Sequence, residues 1–333
     1  MNNLTIIIPT TGKKKFINYL KLNINNFLKY KIEVIVITSK KLKIKKQKKL
    51  KIFFDTKSKT SNQKLYLGLK YTKTKNVFFA REDELINILS FRKMYYRFLK
   101  NKLVSIQGIK LLAIKNNNQI YPHNPDLFCK NQNFNISSFL AKIKTALYYA
   151  PECYWTFHKK KVVYLFLNNY LKNDLFNSPA LYDYYFIYFI MSFGTIEFID
   201  MPISLKIKQK KSKASIKFEN HKRDKNFTKS IEFLTNLISI KKKISRIAVK
   251  KAILFSLDER MKRPKPRNII RDSNLSKKLF YKSRQLLFRL DSKINRKFIS
   301  HYDIYKNTKL NNQVYKNISS QEKELKYMFT KLV

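Results

Sequence analysis

The chain has 333 residues, 44% of them hydrophobic and 14% aromatic, which is enough to bury a core in one large or two small domains. Its 71 Lys and Arg residues outnumber 21 Asp and Glu, and the formal charge of +50 favours polyanionic partners: nucleic acid, an anionic membrane surface or phosphorylated substrates. Two cysteines without a metal-ligand spacing exclude a disulfide-rich secreted scaffold, and no apolar stretch is long enough to predict a membrane span.

The N-terminal part of the chain predicts a strand, a helix and a second strand. Residues 4–8 are a continuous apolar, mostly β-branched run, which is typical of a buried parallel strand, and the run ends at Pro9-Thr10-Thr11-Gly12. Residues 13–29 place apolar side chains at helical spacing, and residues 33–37 form another buried apolar run. This order indicates a β-α-β unit and an α/β fold class.

An acidic triplet follows the fourth predicted strand. After a short strand at 52–54 and a helix at 61–71, the apolar run at 77–80 leads into Glu82, Asp83 and Glu84. Ligands of open α/β sheets bind beyond the carboxyl ends of the strands, and carboxylates there suit Mg²⁺ or Mn²⁺. The alternative interpretation is the start of a helix near Asp83, because acids favour a helix's first turn. We expect a helix from Glu84 to Lys100.

The remainder of the chain divides at a change in composition. Residues 103–114 predict two strands, Tyr182 to Phe193 an aromatic helix that ends at Gly194, and Ile196 to Ile199 a strand. No glycine occurs after Gly194, and the region from about residue 220 is heavily basic and predicts helices. We therefore expect an α/β domain over residues 1–215 and a basic, mainly helical region over 220–333.

Four segments, in this order, resemble the family 2 glycosyltransferases of the GT-A fold, in particular their divergent bacterial members. These segments are the strand and turn over 4–11, the helical stretch 61–69, the acidic segment 77–85, and the stretch from Tyr182-Asp183 through Gly194 to 198–205. The resemblance covers about residues 1–215. It implies a mostly parallel sheet with helices on both faces, which binds a nucleotide-diphospho-sugar and transfers its sugar.

The resemblance also implies roles for individual residues. Asp83 and Glu84 would bind the metal, and Asp183 would accept the proton of the acceptor hydroxyl in an inverting transfer. Lys13 or Lys64 would assist in offsetting the charge of the diphosphate. Residues for the nucleotide sugar would be Pro9, Thr10, Thr11, Ser39, Lys64, Glu82 and, as a stacking platform, Trp155. Asp183 is equally compatible with a first-turn acid of a helix, and Trp155 with simple core filling.

The sequence departs from the family pattern at two places. Thr38-Ser39-Lys40 stands where the second strand normally ends in an Asp that contacts the nucleotide, and Glu82-Asp83-Glu84 replaces an Asp-rich triplet beside Arg81. Two alternatives therefore stay open beside the transferase: a catalytically lapsed relative, and a basic nucleic-acid-binding protein, although no nucleic-acid-binding motif is present. We expect a cytoplasmic protein with a glycan, lipid-linked or protein acceptor, in peripheral contact with the anionic inner face of the membrane.

Overall fold

The computed structural model describes most of the chain. The described residues are 1–45, 47–114, 119–122, 138–145, 156–173, 175–176, 181–207, 225–262, 299–300 and 327–328. They form a ten-stranded mixed sheet with helices on both faces. None of the helices in these ranges is both long and apolar enough to cross a bilayer.

The strands and helices of the described residues follow in chain order. The strands are β1 (Leu4–Thr10), β2 (Glu33–Thr38), β3 (Leu50–Phe54), β4 (Asn76–Phe79), β5 (Glu84–Ile86), β6 (Ser105–Ile114), β7 (Gln119–Pro122), β8 (Thr156–Lys159), β9 (Ile196–Ile207) and β10 (Ile299–Ser300). The α-helices are α1 (Ile17–Lys29), α2 (Ser61–Tyr71), α3 (Ile88–Lys100), α4 (Phe139–Thr145), α5 (Lys160–Lys172), α6 (Tyr182–Phe193), α7 (Lys225–Lys242) and α8 (Arg246–Lys262).

The N-terminal half of the sheet is parallel. Its strands lie in the order β3-β2-β1-β4, and each is parallel to its neighbour. Beyond β4 the sheet continues through β8, β6, β7 and β10, with β8 antiparallel to β4 and β6 antiparallel to β8. The carboxyl ends of β1, β2 and β4 therefore meet at one edge, as the buried apolar runs predict.

Alternation along β1 assigns its side chains to two hydrophobic layers. Ile7 packs in the layer that contains α2, α5 and α6, whereas Ile6 and Ile8 pack in the layer that contains α1 and α3. A Cβ atom on Gly68 of α2 would lie 2.5 Å from Ile7 Cγ2, so glycine allows α2 to approach β1 closely. This approach brings the start of α2 to the carboxyl edge of β1.

Several boundaries differ from the sequence prediction. Glu84 begins the short strand β5 instead of a helix, because it pairs antiparallel with β9; α3 starts only at Ile88, capped by Asn87. Residues 105–114 are one strand, since β6 pairs along its length with β9 and bulges near Gly108. β9 itself continues past Pro202 to Ile207, well beyond the predicted end at Ile199.

The C-terminal region is helical over α7 and α8, as predicted, but it also contributes β10, which pairs with β7. The two helices are not separate from the α/β core. Their buried side chains join the layer that contains α6, among them Ile231, Leu234, Ile238, Val249 and Ile253. The predicted division near residue 215–220 is a change in composition, and the domain boundary stays a prediction.

Candidate functional site

An open cleft lies at the carboxyl edge where β1 and β4 end. Its volume is about 270 Å³. Three segments line it: the turn after β1, the start of α2 and the residues after β4. The lining residues are Pro9, Thr10, Thr11, Lys13, Lys15, Phe16, Lys59, Thr60, Ser61, Lys64, Arg81, Glu82 and Asp83. Pro9, Thr10, Glu82 and Asp83 thus line one cleft, whereas Glu84, the third acid of the triplet, does not.

Glu82 ties the turn after β1 to the end of β4. Its carboxylate accepts hydrogen bonds from the hydroxyls of Thr10 and Thr11, the latter at 2.7 Å, and from the Thr11 backbone N–H at 3.2 Å. Thr10 Oγ1 in turn accepts from the Gly12 N–H at 2.9 Å, and Gly12 has a φ of +68°, which favours glycine. Both oxygens of Glu82 are therefore engaged in holding the floor of the cleft.

Lys64 links three elements beneath the cleft. From α2 its ammonium donates to the Thr10 carbonyl at 2.6 Å and to Ser39 Oγ, which follows β2, at 2.5 Å. Burial lowers the pKa of Lys64, while the charges of Glu82 and Asp55 act in the opposite direction. Ser39 is held by this contact and is not among the residues that line the cleft, so its predicted role toward the nucleotide stays a prediction.

Asp83 lies at the cleft but is paired with two cations. Lys206 Nζ, from β9, is 2.7 Å from Asp83 Oδ2, and Arg81 Nε is 3.5 Å from Oδ1. Burial alone would raise the pKa of Asp83, but the charges of Arg81 and Lys206 outweigh it and lower that pKa. The carboxylate is thus ionised and compensated within the chain.

Glu84 is fully buried and is not among the residues that line the cleft. Both of its carboxylate oxygens lack a hydrogen-bond partner in the described residues, and Lys206 Nζ stands 3.6 Å from Oε1. Burial raises the pKa of Glu84 to about 7. Its backbone carbonyl accepts from Asn23 Nδ2 at 2.6 Å, which fastens β5 to α1.

These side chains do not fit a divalent-cation site. Within the described residues no group of three His, Cys, Asp or Glu side chains is placed to hold a metal ion. The carboxylate of Glu82 accepts hydrogen bonds from two threonines, and that of Asp83 forms ion pairs with Lys206 and Arg81. Glu84 is buried outside the cleft. The assignment of Mg²⁺ or Mn²⁺ to Asp83 and Glu84 stays a prediction, and we derive no step through a metal.

Asp183 lies in the first turn of α6 and is exposed. The helix packs back along the sheet: Phe186 contacts His158 of β8, and His158 contacts Phe79 at the end of β4, with ring centroids 5.3 and 5.6 Å apart. Asp183 is not among the residues that line the cleft, and its catalytic role stays a prediction. Trp155 lies outside the described residues.

Sequence reasoning missed several cleft residues. Lys15, Phe16, Lys59, Thr60 and Ser61 all line the cleft. One signal was readable: Thr60 caps α2, and its hydroxyl accepts from the Gln63 N–H while Gln63 accepts from the Thr60 N–H. Lys206 carries no such local signal, because the pairing of β5 with β9 alone brings it to Asp83.

The sheet and its flanking helices have a glycosyltransferase-like fold. The structure is similar to that of S. aureus TarS, with a TM-score of 0.50 and 13% sequence identity over 99% of this chain and 53% of that chain. This chain thus spans about half the length of that TarS structure. It is also similar to the TarS fragment 1–349, free (TM-score 0.49, 12% identity) and in complex with UDP-GlcNAc (TM-score 0.48, 13% identity), over 99% of this chain and 88% of each fragment.

No protein-family model matches the chain. No curated protein sequence matches it either. At 13% identity the likeness to TarS concerns the fold.

Proposed function

We propose that this protein is an inverting glycosyltransferase that moves a sugar from a nucleotide-diphosphate donor to a glycan, lipid-linked or protein acceptor. One observation carries the proposal. On a glycosyltransferase-like fold, the ends of β1 and β4 and the start of α2 enclose a cleft that is rich in hydroxyls and cations. Ligands of such sheets bind at this edge, and a diphosphate requires cations and hydrogen-bond donors.

The chemistry follows from the donor. The acceptor oxygen attacks the anomeric carbon and forms the new C–O bond, while the bond from that carbon to the phosphate oxygen breaks. The electron pair of the broken bond stays on the leaving nucleoside diphosphate, so negative charge grows on the phosphate. The hydroxyl proton passes to a base, and Asp183 is our proposed base. The cleft must therefore stabilise an increasing negative charge.

A thermal-shift screen of the full chain tests the proposal. We expect UDP, GDP or CDP to raise the melting temperature, because a ligand that binds only the folded state stabilises it by about 2.7 kcal/mol at a hundredfold excess over Kd. Each nucleotide is measured with Mn²⁺ and with EDTA. Release of free sugar from the matching nucleotide sugar then shows whether the bound donor reacts.

A catalytically lapsed relative is the second candidate. It is favoured by the ion pairs of Asp83 with Lys206 and Arg81, which occupy the predicted metal ligand. Such a protein binds nucleotide diphosphates but neither hydrolyses nor transfers the sugar. Stabilisation by oligonucleotides, and by no nucleotide diphosphate, would instead support a nucleic-acid-binding protein and contradict both candidates.

A further inference from the structure

The charges around the cleft leave an excess of cations. Lys13, Lys15, Lys59, Lys64 and Arg81 line the cleft, against the two acids Glu82 and Asp83. The two carboxylates cannot neutralise all five cationic side chains. Asp83 pairs with Arg81, and the charge of Glu82 acts on the buried Lys64. Lys13, Lys15 and Lys59 then remain uncompensated by the acids that line the cleft.

These three lysines come from two of the segments that line the cleft. Lys15 belongs to a short 3-10 helix, Lys14–Phe16, that follows β1, and Lys13 is the N-cap residue of that helix. Lys59 directly precedes Thr60, the N-cap of α2. All three are exposed, and the ammonium of Lys15 lies 4.7 Å from the centre of the Phe16 ring. Neither Lys13 nor Lys59 makes a side-chain hydrogen bond or ion pair with the described residues. Their ammonium groups are available to a ligand.

We propose that the cleft neutralises the diphosphate of its donor with Lys13, Lys15 and Lys59 in place of a divalent metal. This inference rests on the proposed function, since it names how the same site holds the donor. A diphosphate ester is dianionic and gains a further charge when the sugar leaves, so an excess of three cations matches the leaving group. In this assignment Asp83 keeps its ion pairs, and Lys206 serves as its counter-ion.

Two observations favour cations over a metal. A metal would need carboxylate oxygens at the cleft, and those of Glu82 are engaged by Thr10 and Thr11. Binding a metal at Asp83 would also place a divalent charge beside Lys206 and Arg81, which stand 2.7 and 3.5 Å from its oxygens. Like charges at such distances repel strongly at the edge of a protein interior.

Calorimetric titration of the full chain with UDP, GDP and CDP tests the inference. Each titration is done in EDTA and again in Mn²⁺. We expect the nucleotide that binds to do so in EDTA, with a Kd within about threefold of its value in Mn²⁺. The double variant Lys13→Ala/Lys59→Ala should raise that Kd at least about tenfold, because each substitution removes a charge-assisted contact between an ammonium group and the phosphate.

The matched control is Lys93→Ala/Lys100→Ala, which removes the same charge from exposed positions of α3. This control should keep the Kd within about twofold of the wild-type value. The comparison separates the effect of losing positive charge in general from the effect of losing the lysines of the cleft. Circular dichroism of all variants verifies folding. Binding that disappears in EDTA and returns with Mn²⁺ would overturn the inference and leave the proposed function intact. The inference also fails if both double variants weaken binding equally. No binding in either condition would overturn the proposed function and this inference together.

Discussion

Asp183 is the single residue on which the proposed chemistry depends most. Asp183→Asn should leave nucleotide binding unchanged and reduce turnover of the nucleotide sugar by about 10²–10⁴-fold, because an amide does not accept the acceptor's proton. Turnover is followed as release of nucleoside diphosphate. If Asp183 were only a first-turn acid of α6, the substitution would lower helix stability by about 0.3–1 kcal/mol and leave turnover unchanged.

Asp258→Asn is the control for this variant, since it neutralises an acid of α8, which does not line the cleft. It should retain full turnover. Loss of nucleotide binding in Asp183→Asn would show that the acid belongs to the binding site and not to proton transfer.

A second residue, Glu33, makes stability depend on pH. At the start of β2 it accepts hydrogen bonds from Thr5 Oγ1 of β1 and Lys51 Nζ of β3, both at 2.6 Å. Burial alone would raise the pKa of Glu33, but the contacts with Lys51 and Thr5 outweigh it and lower that pKa below its ordinary value of 4.5. The folded state therefore binds this proton more weakly than the unfolded state does.

Glu33→Gln should reduce the free energy of unfolding at pH 7 by about 1 kcal/mol, a figure held low because Lys51 is well exposed. The difference from the wild type should shrink as pH falls below 4.5, where the carboxyl group takes up its proton in the unfolded state, and it should vanish once pH passes below the lower pKa of the folded state. Urea unfolding of both proteins at pH 7 and at pH 3.5 measures this difference in the free energy of unfolding. A difference that stays constant over this range would contradict the account.

At the scale of elements, the packing of α2 on β1 supports the cleft. Gly68→Ala would place a Cβ atom 2.5 Å from Ile7 Cγ2, so the helix or the strand must shift. Overpacking of this kind costs about 1–3 kcal/mol, partly offset by about 1 kcal/mol from the better helix propensity of alanine. We expect a net loss of stability, together with weaker nucleotide binding, because Lys64 and Thr10 lie on the two shifted elements.

Urea unfolding and calorimetric titration measure the two effects. Lys70→Ala, on the exposed face of the same helix, is the control for helix propensity. A Gly68→Ala protein that is more stable than the wild type would show that the approach of α2 to β1 is not tight.

The same scale shows how far the sequence predicts this structure. The runs at 4–8, 33–37 and 77–80 are apolar on both sides, so they have to be buried strands, and their shared edge follows from parallel pairing. Glu82, Thr10 and Thr11 meet for that reason. The strand β5 was not predictable from its three residues, because only pairing with β9, about 120 residues later, makes it a strand. Glu82 and Asp83 line the cleft, whereas Glu84 is buried outside it, and the counter-ion Lys206 was not foreseen.

For the whole molecule, the charge of +50 and the hairpin of α7 and α8 predict contact with anionic membranes. The last turn of α7 exposes Ile240 and the first turn of α8 exposes Ile247, which are 78% and 68% accessible. Lys243 and Lys251 are exposed in the same part of the hairpin. A surface of this kind binds an anionic bilayer with roughly 1 kcal/mol per nearby basic residue, and the binding weakens with salt.

Sedimentation with vesicles tests this prediction. We expect binding to vesicles that contain phosphatidylserine, little binding to neutral vesicles, and weaker binding by Ile240→Ser/Ile247→Ser. Tyr96→Ser, at an exposed position of α3, is the control and should bind as the wild type does. Binding that does not respond to salt or to the fraction of anionic lipid would refute an electrostatic contact.

The antiparallel pairing of β8 with β4 has a consequence for how the chain is made. Residues 4–79 can assemble the parallel half of the sheet soon after synthesis, but the partner of β4, which ends at Lys159, emerges about 80 residues later. At roughly 5–20 residues per second the ribosome leaves that edge open for about 4–16 seconds. Lys73, Lys75 and Arg81 flank β4 on both sides, and such charges oppose edge-to-edge association. We therefore expect part of the positive charge to protect the nascent chain before any ligand is bound.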